Sequence, residues 1–563
     1  MSVATTFLAA DEVVVFAPDE TPASSEKEPP EIPALKNLSD VRLLPIFSVT
    51  QNIAATFRLK NALQKRETLH PDAVNYLDNA LLFTLITEFP QTSWTPPSIF
   101  RIDAMMTRPA ISYYGDFVVP VWPELLEAMK SEGDAKLLEP NVYDADGVLI
   151  VVSDRYCACS YGEDIAPTDE DIARLRRLIQ ETEASTLKNV ASIATAPQAI
   201  GRSALKPELA GLRAQLMAEA QQRDDDTEFD SLTRGLWQRL QISAFDAFFN
   251  DTEQLSFTVD HDEAGQALIV ELDVRCTKRS TLDKYIAEIG ATRSRVLSYL
   301  HPNYVGFVSA SIPLSEEIAS ALPRIAALGA DIVIEEEGWL PAAFQQTLEK
   351  IADKRQAEYL IQAVTTDQDP TACVMVMPLE QASTLRASLI LLVYASTSTL
   401  NAVGEVAGFP VTEFPAIEIP GLEPQRGIDG KPSDTKAMFV ATDQCLAVMF
   451  GTEKDLPLLE TILKRDFEPP AAATRFQQSV FAVEVDLVPL SELENMVFGN
   501  SHLLAKPKNE DDESPQPAGK IQVYMHTAPQ RLMLTARFEG DTMIAGITFL
   551  ESTIELLAVL FEY

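Results

Sequence analysis

The chain has 563 residues, with 45 Lys and Arg against 83 Asp and Glu, for a formal net charge of −38. A field of that sign repels phosphate backbones and acidic lipid surfaces, so nucleic acid is excluded as a partner on charge. At 46% hydrophobic and 23% charged residues, the composition is globular, and the length implies two to four domains or a duplicated unit.

The first residues, MSVATTFLAADE, allow two readings. FLAA followed by Asp11 and Glu12 resembles the end of a secretory signal, although a basic start and a full apolar stretch are lacking. The alternative is a first strand, running on into VVVFAP. DETPASSEKEPPEIPALK (Asp19 to Lys36) then reads as an exposed Pro/Ser/Glu-rich loop. Residues 1–36 are expected to be a strand and this loop, and 37–295 a first α+β half. Trp94 in TSWTPPSIF and Trp122 in PVWPELL lie among prolines. They suit either a carbohydrate or peptide contact or loop packing on a sheet.

YDADGVL (Tyr143 to Leu149) lacks the first ligand and closing glutamate of a calcium loop and reads as a hairpin turn. VLIVVSDRYCACSYG (Val148 to Gly162) is a strand pair carrying Cys157 and Cys159, and a helix follows at Asp169 to Ile179. Within it, Arg174 to Leu178 is the densest basic group and is expected on an exposed helix face. Leu205, Leu209, Leu212 and Leu216 mark one helix face, and Leu232, Leu236 and Leu240 another, with Trp237 expected in the core. Together these give a helical insertion over about 169–250. Leu255 to Val274 is two alternating strands around an Asp-Glu-Ala-Gly turn, where His261 is expected to be exposed.

The boundary with a second α+β half, 296–563, is placed in GATRSRVLSYLHPN, residues 290 to 303. Phe307 to Leu322 is a strand, then Pro-Leu-Ser-Glu, then a helix with Ser315 as N-cap. Glu335 to Glu337 read as a solvated face. Leu389 to Ala395, the most apolar window, is too short to span a bilayer and reads as a buried strand. Gly427 to Asp434 contains Gly-Lys without the first P-loop glycine, and so reads as a turn. Glu484 and Asp486 alternate with apolar residues and are expected to face solvent. Pro507 to Lys520 is a second acidic loop, whose Glu510 to Glu513 lack the spacing of a calcium site. Ile521 to Leu550 is a meander running into a terminal helix.

Two internal echoes appear. Val148 to Gly162 superposes without a gap on AMFVATDQCLAVMFG (Ala437 to Gly451), an offset of 289 residues. Each copy continues into an acidic loop and a helix, with about five extra loop residues in the first, which a surface loop tolerates. Phe307 to Leu322 also resembles Val483 to Val497, at an offset of 176. Two different offsets imply a diverged duplication with rearranged or inserted pieces.

No dinucleotide, P-loop, zincin or nucleophile-elbow motif occurs. His70, His261, His301, His502 and His526 never cluster, and five cysteines at low density do not form a disulfide scaffold. In the second copy Cys157 and Cys159 become Leu446 and Val448. Alternate strand positions share a face, so the cysteines are expected to be core hydrophobes rather than a metal or redox pair. No catalytic residue, metal ligand or cofactor is assigned.

The segment from Ala218 to Cys276 resembles a recurring stretch in uncharacterised exported proteins of planctomycete bacteria. It is carried by Asn250, Asp251, Leu255 and the Asp262-Glu263 turn, with the strand-Pro-Leu-Ser-Glu element beside it. The resemblance implies an exported α+β protein of two similar halves and carries no activity. The expectation is therefore α+β, two related halves of antiparallel meanders packed against long helices. The function expected is a non-catalytic binding or structural protein of the cell envelope or periplasm, with a cytoplasmic location as the alternative. The alternatives in function are a carrier of a lipid or other apolar ligand, and a hydrolase with a dispersed acidic site. Partners are thus a protein or an apolar ligand, with no nucleic acid, no transmembrane segment and no stated oligomeric state.

Overall fold

The computed structural model describes residues 45–543 apart from internal stretches, the longest being 65–98, 122–134, 219–227, 334–348, 384–400, 415–435 and 487–518. Trp94, Trp122, Trp339, His70, His502, Glu335 to Glu337, Leu389 to Ala395, the Gly427 turn, Glu510 to Glu513 and both expected terminal elements lie outside the described residues. The fold is α+β, and every described strand pairing is antiparallel.

In the first half the strands are β1 (Pro45–Asn52), β2 (Ile99–Thr107), β3 (Ser112–Pro120), β4 (Ala135–Glu139), β5 (Val142–Ala145), β6 (Val148–Val152), β7 (Tyr156–Tyr161), β8 (Ala191–Thr195), β9 (Thr252–His261) and β10 (Ala267–Cys276). Hydrogen bonding orders them β4-β5-β6-β7-β3-β2-β1-β8-β9-β10. The second half supplies β11 (Tyr304–Pro313), β12 (Gln356–Val364), β13 (Ala372–Pro378), β14 (Asn401–Val406), β15 (Phe409–Phe414), β16 (Lys436–Ala441), β17 (Cys445–Gly451), β18 (Phe481–Asp486), β19 (Gly519–Ala528) and β20 (Arg531–Gly540). Their order is β14-β15-β16-β17-β13-β12-β11-β18-β19-β20. Each strand of the first half thus has its counterpart ten places on, in the same sheet position.

The halves join where β10 pairs with β20, in register from Ala267–Glu539 to Arg275–Arg531. Ion pairs fasten both ends. Arg531 grips the buried Asp273 through Nε at 3.0 Å and a terminal nitrogen at 2.7 Å, and Arg537 reaches Asp262 at 3.3 Å. Leu268 and Val270 of β10 pack with Ala536 and Phe538 of β20 in one apolar cluster, so burial as well as backbone pairing holds the seam.

This topology accounts for both sequence echoes without rearrangement. The 289-residue offset relates β6–β7 to β16–β17, one half to the other. The 176-residue offset relates β11 to its own neighbour β18, within one half. Each half is itself a doubled unit of a strand followed by an antiparallel strand pair. Its two copies pair through their first strands, β1 with β8 and β11 with β18. The extra strands β4–β7 and β14–β17 enter at the same place in both halves, after β3 and after β13.

The helices introduced in chain order are α1 (Ile53–Gln64), α2 (Asp169–Ala184), α3 (Lys206–Ala218), α4 (Glu228–Asp246), α5 (Thr281–Ala291), α6 (Glu316–Val333), α7 (Leu456–Lys464) and the single-turn α8 (Ala471–Arg475). β8 and a short helical turn at Pro197–Gly201 interrupt the region read as one helical insertion. α2 and the 3-10 turn Glu453–Asp455 that leads into α7 begin alike. Thr168 and Asp171 form a capping box, and so do Thr452 and Asp455, each satisfying backbone N–H groups left over at a helix start. Ser315 caps α6, its hydroxyl accepting from the Ile318 amide at 3.3 Å.

Ile172, Leu175, Leu178 and Ile179 of α2 close one core over Val118, Leu149, Val151, Tyr156 and Ala158. Leu459, Ile462 and Leu463 of α7 do the same over Val374, Val376, Ala447 and Met449. Of the expected basic face on α2, Arg176 and Arg177 are exposed. Arg174 instead turns in, donating to the fully buried Asp116 of β3 at 2.8 and 3.3 Å and to Ser160 at 3.2 Å. Trp237 is 46% exposed rather than core. It sits one residue off the half-buried Leu236–Leu240 stripe, about 100° round the helix, and it is Gln238 that is buried there.

Candidate functional site

The sequence singled out the cysteines, the histidines and the acidic strand residues, and the fold disposes of each. Cys157 is buried and Cys159 half-buried on one face of β7, their sulfurs 3.9 Å apart and both thiols free. The hydrogen bond with Cys159 and burial together raise the Cys157 pKa, which keeps it a thiol and a poor nucleophile. Brief exposure of native protein to iodoacetamide is therefore expected to leave Cys157 unmodified by peptide mass spectrometry, with full labelling after denaturation. Rapid native labelling would overturn its place as a core residue.

His261 is half-buried at the end of β9, not exposed, with Nδ1 3.1 Å from the Asp262 carbonyl. Burial lowers the pKa of His301 and of His526, which lie on separate elements. Among the described residues no group of His, Cys, Asp and Glu is arranged to hold a metal.

Glu484 also departs from expectation: it is 1% exposed, while Asp486 faces solvent. The alternation of β18 places Ala482 and Glu484 on the covered face. There the carboxylate accepts from the Tyr304 hydroxyl, from Lys520 and from Gln522 Nε2 at 2.7 Å, with Arg475 at 3.7 Å. Burial and the Glu484 carboxylate both push the Tyr304 phenol up. Each partner is spent on another, which describes a fastened structural knot linking β11, β18 and β19.

A sizeable pocket lies beside the link that connects the two halves. Its wall is the link between β10 and β11, residues 293–299, facing Lys354 before β12, Pro378 at the end of β13, Glu380 just after it, Gln444 in the β16–β17 turn, Arg465 after α7, and α8. It is open to solvent, with a volume of about 670 Å³. These segments meet because β12, β13 and β17 end together: Pro378 is in register with Cys445, and Gln356 with Pro313.

Polar side chains of β12 hold the link in place. The buried Glu358 accepts from the Arg295 amide at 2.8 Å, its Nε at 3.1 Å and the Ser311 hydroxyl at 3.1 Å. The buried Gln362 accepts from the His301 amide and donates to the Tyr299 carbonyl, both at 2.8 Å. Buried groups satisfied on both sides fix the backbone far better than apolar contact would. No family model, curated protein or solved structure matches this chain.

On the opposite wall Arg465 occupies the left-handed region, φ 55° and ψ 39°, as the C-cap of α7. Glycine takes that conformation at less cost. The arginine is held there because its guanidinium stacks 4.3 Å over the Tyr299 ring and donates to the Tyr299 hydroxyl at 2.6 Å and to Gln444 Oε1 at 2.7 Å. Burial pushes the Tyr299 phenol up to about 12, so it stays a neutral acceptor for Arg465. Lys354 pairs with Glu380 at 3.1 Å, and with Arg295 beyond it holds that carboxyl below its usual range. Nothing in the linear sequence announces this group, since its cations come from three segments that only the fold brings together.

Proposed function

We propose that this chain is a non-catalytic binding protein of the extracytoplasmic space, acting through the open pocket beside the link between its halves. The observation that carries the reading is the pocket itself. It falls within the several-hundred-Å³ range of small-molecule sites, and its wall is fixed by buried hydrogen bonds from Glu358 and Gln362. The lining favours this over the alternatives. Its single carboxylate, Glu380, is paired with Lys354, where a hydrolase needs two convergent acid–base groups. Five charged side chains and an open mouth suit a polar ligand better than a lipid tail. The extracytoplasmic placement is supported by the resemblance to exported proteins. No described helix is long and apolar enough to cross a membrane.

The test is ligand-observed NMR of the full chain with a fragment library, repeated on Thr474→Trp. Thr474 is an exposed lining residue, so tryptophan there fills the pocket without entering the core. A subset of fragments is expected to bind wild type and not the variant. If every binder treats the two proteins alike, the pocket is not the site.

A second reading has its own observation. Leu212, Met217 and Trp237 on the α3–α4 hairpin are 52%, 50% and 46% exposed. Apolar surface of that kind supports a protein partner there, and its loss on Trp237→Ala would show as a weakened interaction in pull-down.

A further inference from the structure

We infer that the pocket takes a small organic oxyanion, a carboxylate or phosphate group carried on a compact apolar body; this rests on the pocket being the binding site. The chain has almost twice as many acidic as basic residues. Yet the lining inverts that ratio: Arg293, Arg295, Lys354 and Arg465 surround the single carboxylate Glu380. In so acidic a protein, an opening that gathers cations is a local reversal of the field, and it concentrates anions that the remaining surface repels.

The donors are also unspent. A guanidinium offers five N–H groups. Arg295 uses Nε on Glu358, which leaves its terminal nitrogens, and Arg465 commits one terminal nitrogen to Tyr299 and Gln444. Arg293 is exposed and makes no hydrogen bond or ion pair among the described residues. Beside it the Ser294 hydroxyl is buried without a partner among them. Forked donors of this kind match the paired oxygens of carboxylate and phosphate.

The anchored members set the geometry. Glu358 orients Arg295 and Tyr299 orients Arg465, so both guanidinium groups are placed before a ligand arrives. The remaining lining is apolar, with Leu297, Pro378, Pro469 and Ala473. A free phosphate ion leaves that part of about 670 Å³ unfilled, which is the argument for an organic body.

The experiment is isothermal titration of the full chain, at low ionic strength, with citrate, glycerol phosphate, inorganic phosphate and uncharged glycerol. Citrate or glycerol phosphate is expected to bind, more tightly than inorganic phosphate, and to weaken as salt rises. Arg293→Glu is expected to cost at least about tenfold in affinity, and Arg293→Lys less, because lysine keeps the charge and loses the fork. Since Arg293 is exposed, the thermal midpoint of both variants should match wild type, which separates lost binding from lost folding. Equal anion binding by wild type and Arg293→Glu overturns the inference, as does inorganic phosphate binding as tightly as the organic anions. If no anion binds while uncharged fragments still respond to Thr474→Trp, the pocket stands as the site and the oxyanion class falls. If neither binds, both fall.

Discussion

Glu484→Ala is expected to destabilise the chain by about 3–5 kcal/mol, the usual cost of removing one partner from a buried charge network. The carboxylate is 1% exposed and is the common acceptor for Tyr304, Lys520 and Gln522. Alanine removes the acceptor and leaves the donors behind. Gln522 is itself only 6% exposed, and an orphaned buried donor costs more than the bond it made. Lys520 is 34% exposed and can turn outward, which places the loss toward the lower end of that range. Glu484→Gln should fall between, keeping one acceptor oxygen and setting an amide against the Gln522 amide. Because β18 joins β11 to β19, the loss should appear locally, as faster hydrogen exchange in those three strands, alongside a lower denaturation midpoint. Salt should change the effect little, since a buried pair is poorly screened. A loss below about 1 kcal/mol would show that the carboxylate is solvated in solution and that the burial is not as described.

Why the sequence misplaced Glu484 and Arg174 is the same question asked twice. Alternation in β18 was legible and sets Glu484 and Asp486 at alternate positions. It does not say which face is covered. A glutamate on an alternating strand is usually on the wet side, and only partners from β11, β19 and α8 make the other side tolerable. Arg174 sits in a run of basic residues at helical spacing, and its inward turn depends on Asp116, 58 residues away. Trp237 fails differently, because a one-residue step off a leucine stripe decides its exposure, and the stripe is itself only half-buried.

Local patterns did carry through. The Leu255 to Val274 hairpin, the Val148 to Gly162 strand pair and the helix starting at Glu316, the last residue of Pro-Leu-Ser-Glu, all stand where alternation, turns and caps put them. Both echo offsets were visible as well. What linear sequence withheld was their nesting, which exists only in the pairing of β11 with β18 and of β10 with β20. The pocket was invisible for the same reason. Arg293 and Arg295 lie inside the stretch read as a boundary, and nothing there announces Lys354 or Arg465 as neighbours.

The duplication supplies its own control for the last expected result. Asp116, Ser160 and Arg174 form a buried polar cluster in the first half. Carrying the repeat across, with the register of β3 on β7 and β13 on β17, places Val374, Met449 and Leu458 at the same positions. One half therefore solves with charge what the other solves with packing. Asp116→Val alone strands Arg174 against a buried apolar surface and should cost about 2–4 kcal/mol, toward the low side because Asp171 still pairs with Arg174 at 2.5 Å. Adding Arg174→Leu should return most of that loss, to within about 1 kcal/mol of wild type, because replacing both partners leaves no orphaned charge. Ser160→Met on top completes the second half's solution, and should help only if β3 and β7 close over the larger side chain. Denaturant unfolding of the single, double and triple variants measures the coupling directly. If Asp116→Val and Arg174→Leu simply add, the two side chains do not depend on one another, and the equivalence drawn between the halves at this position is wrong.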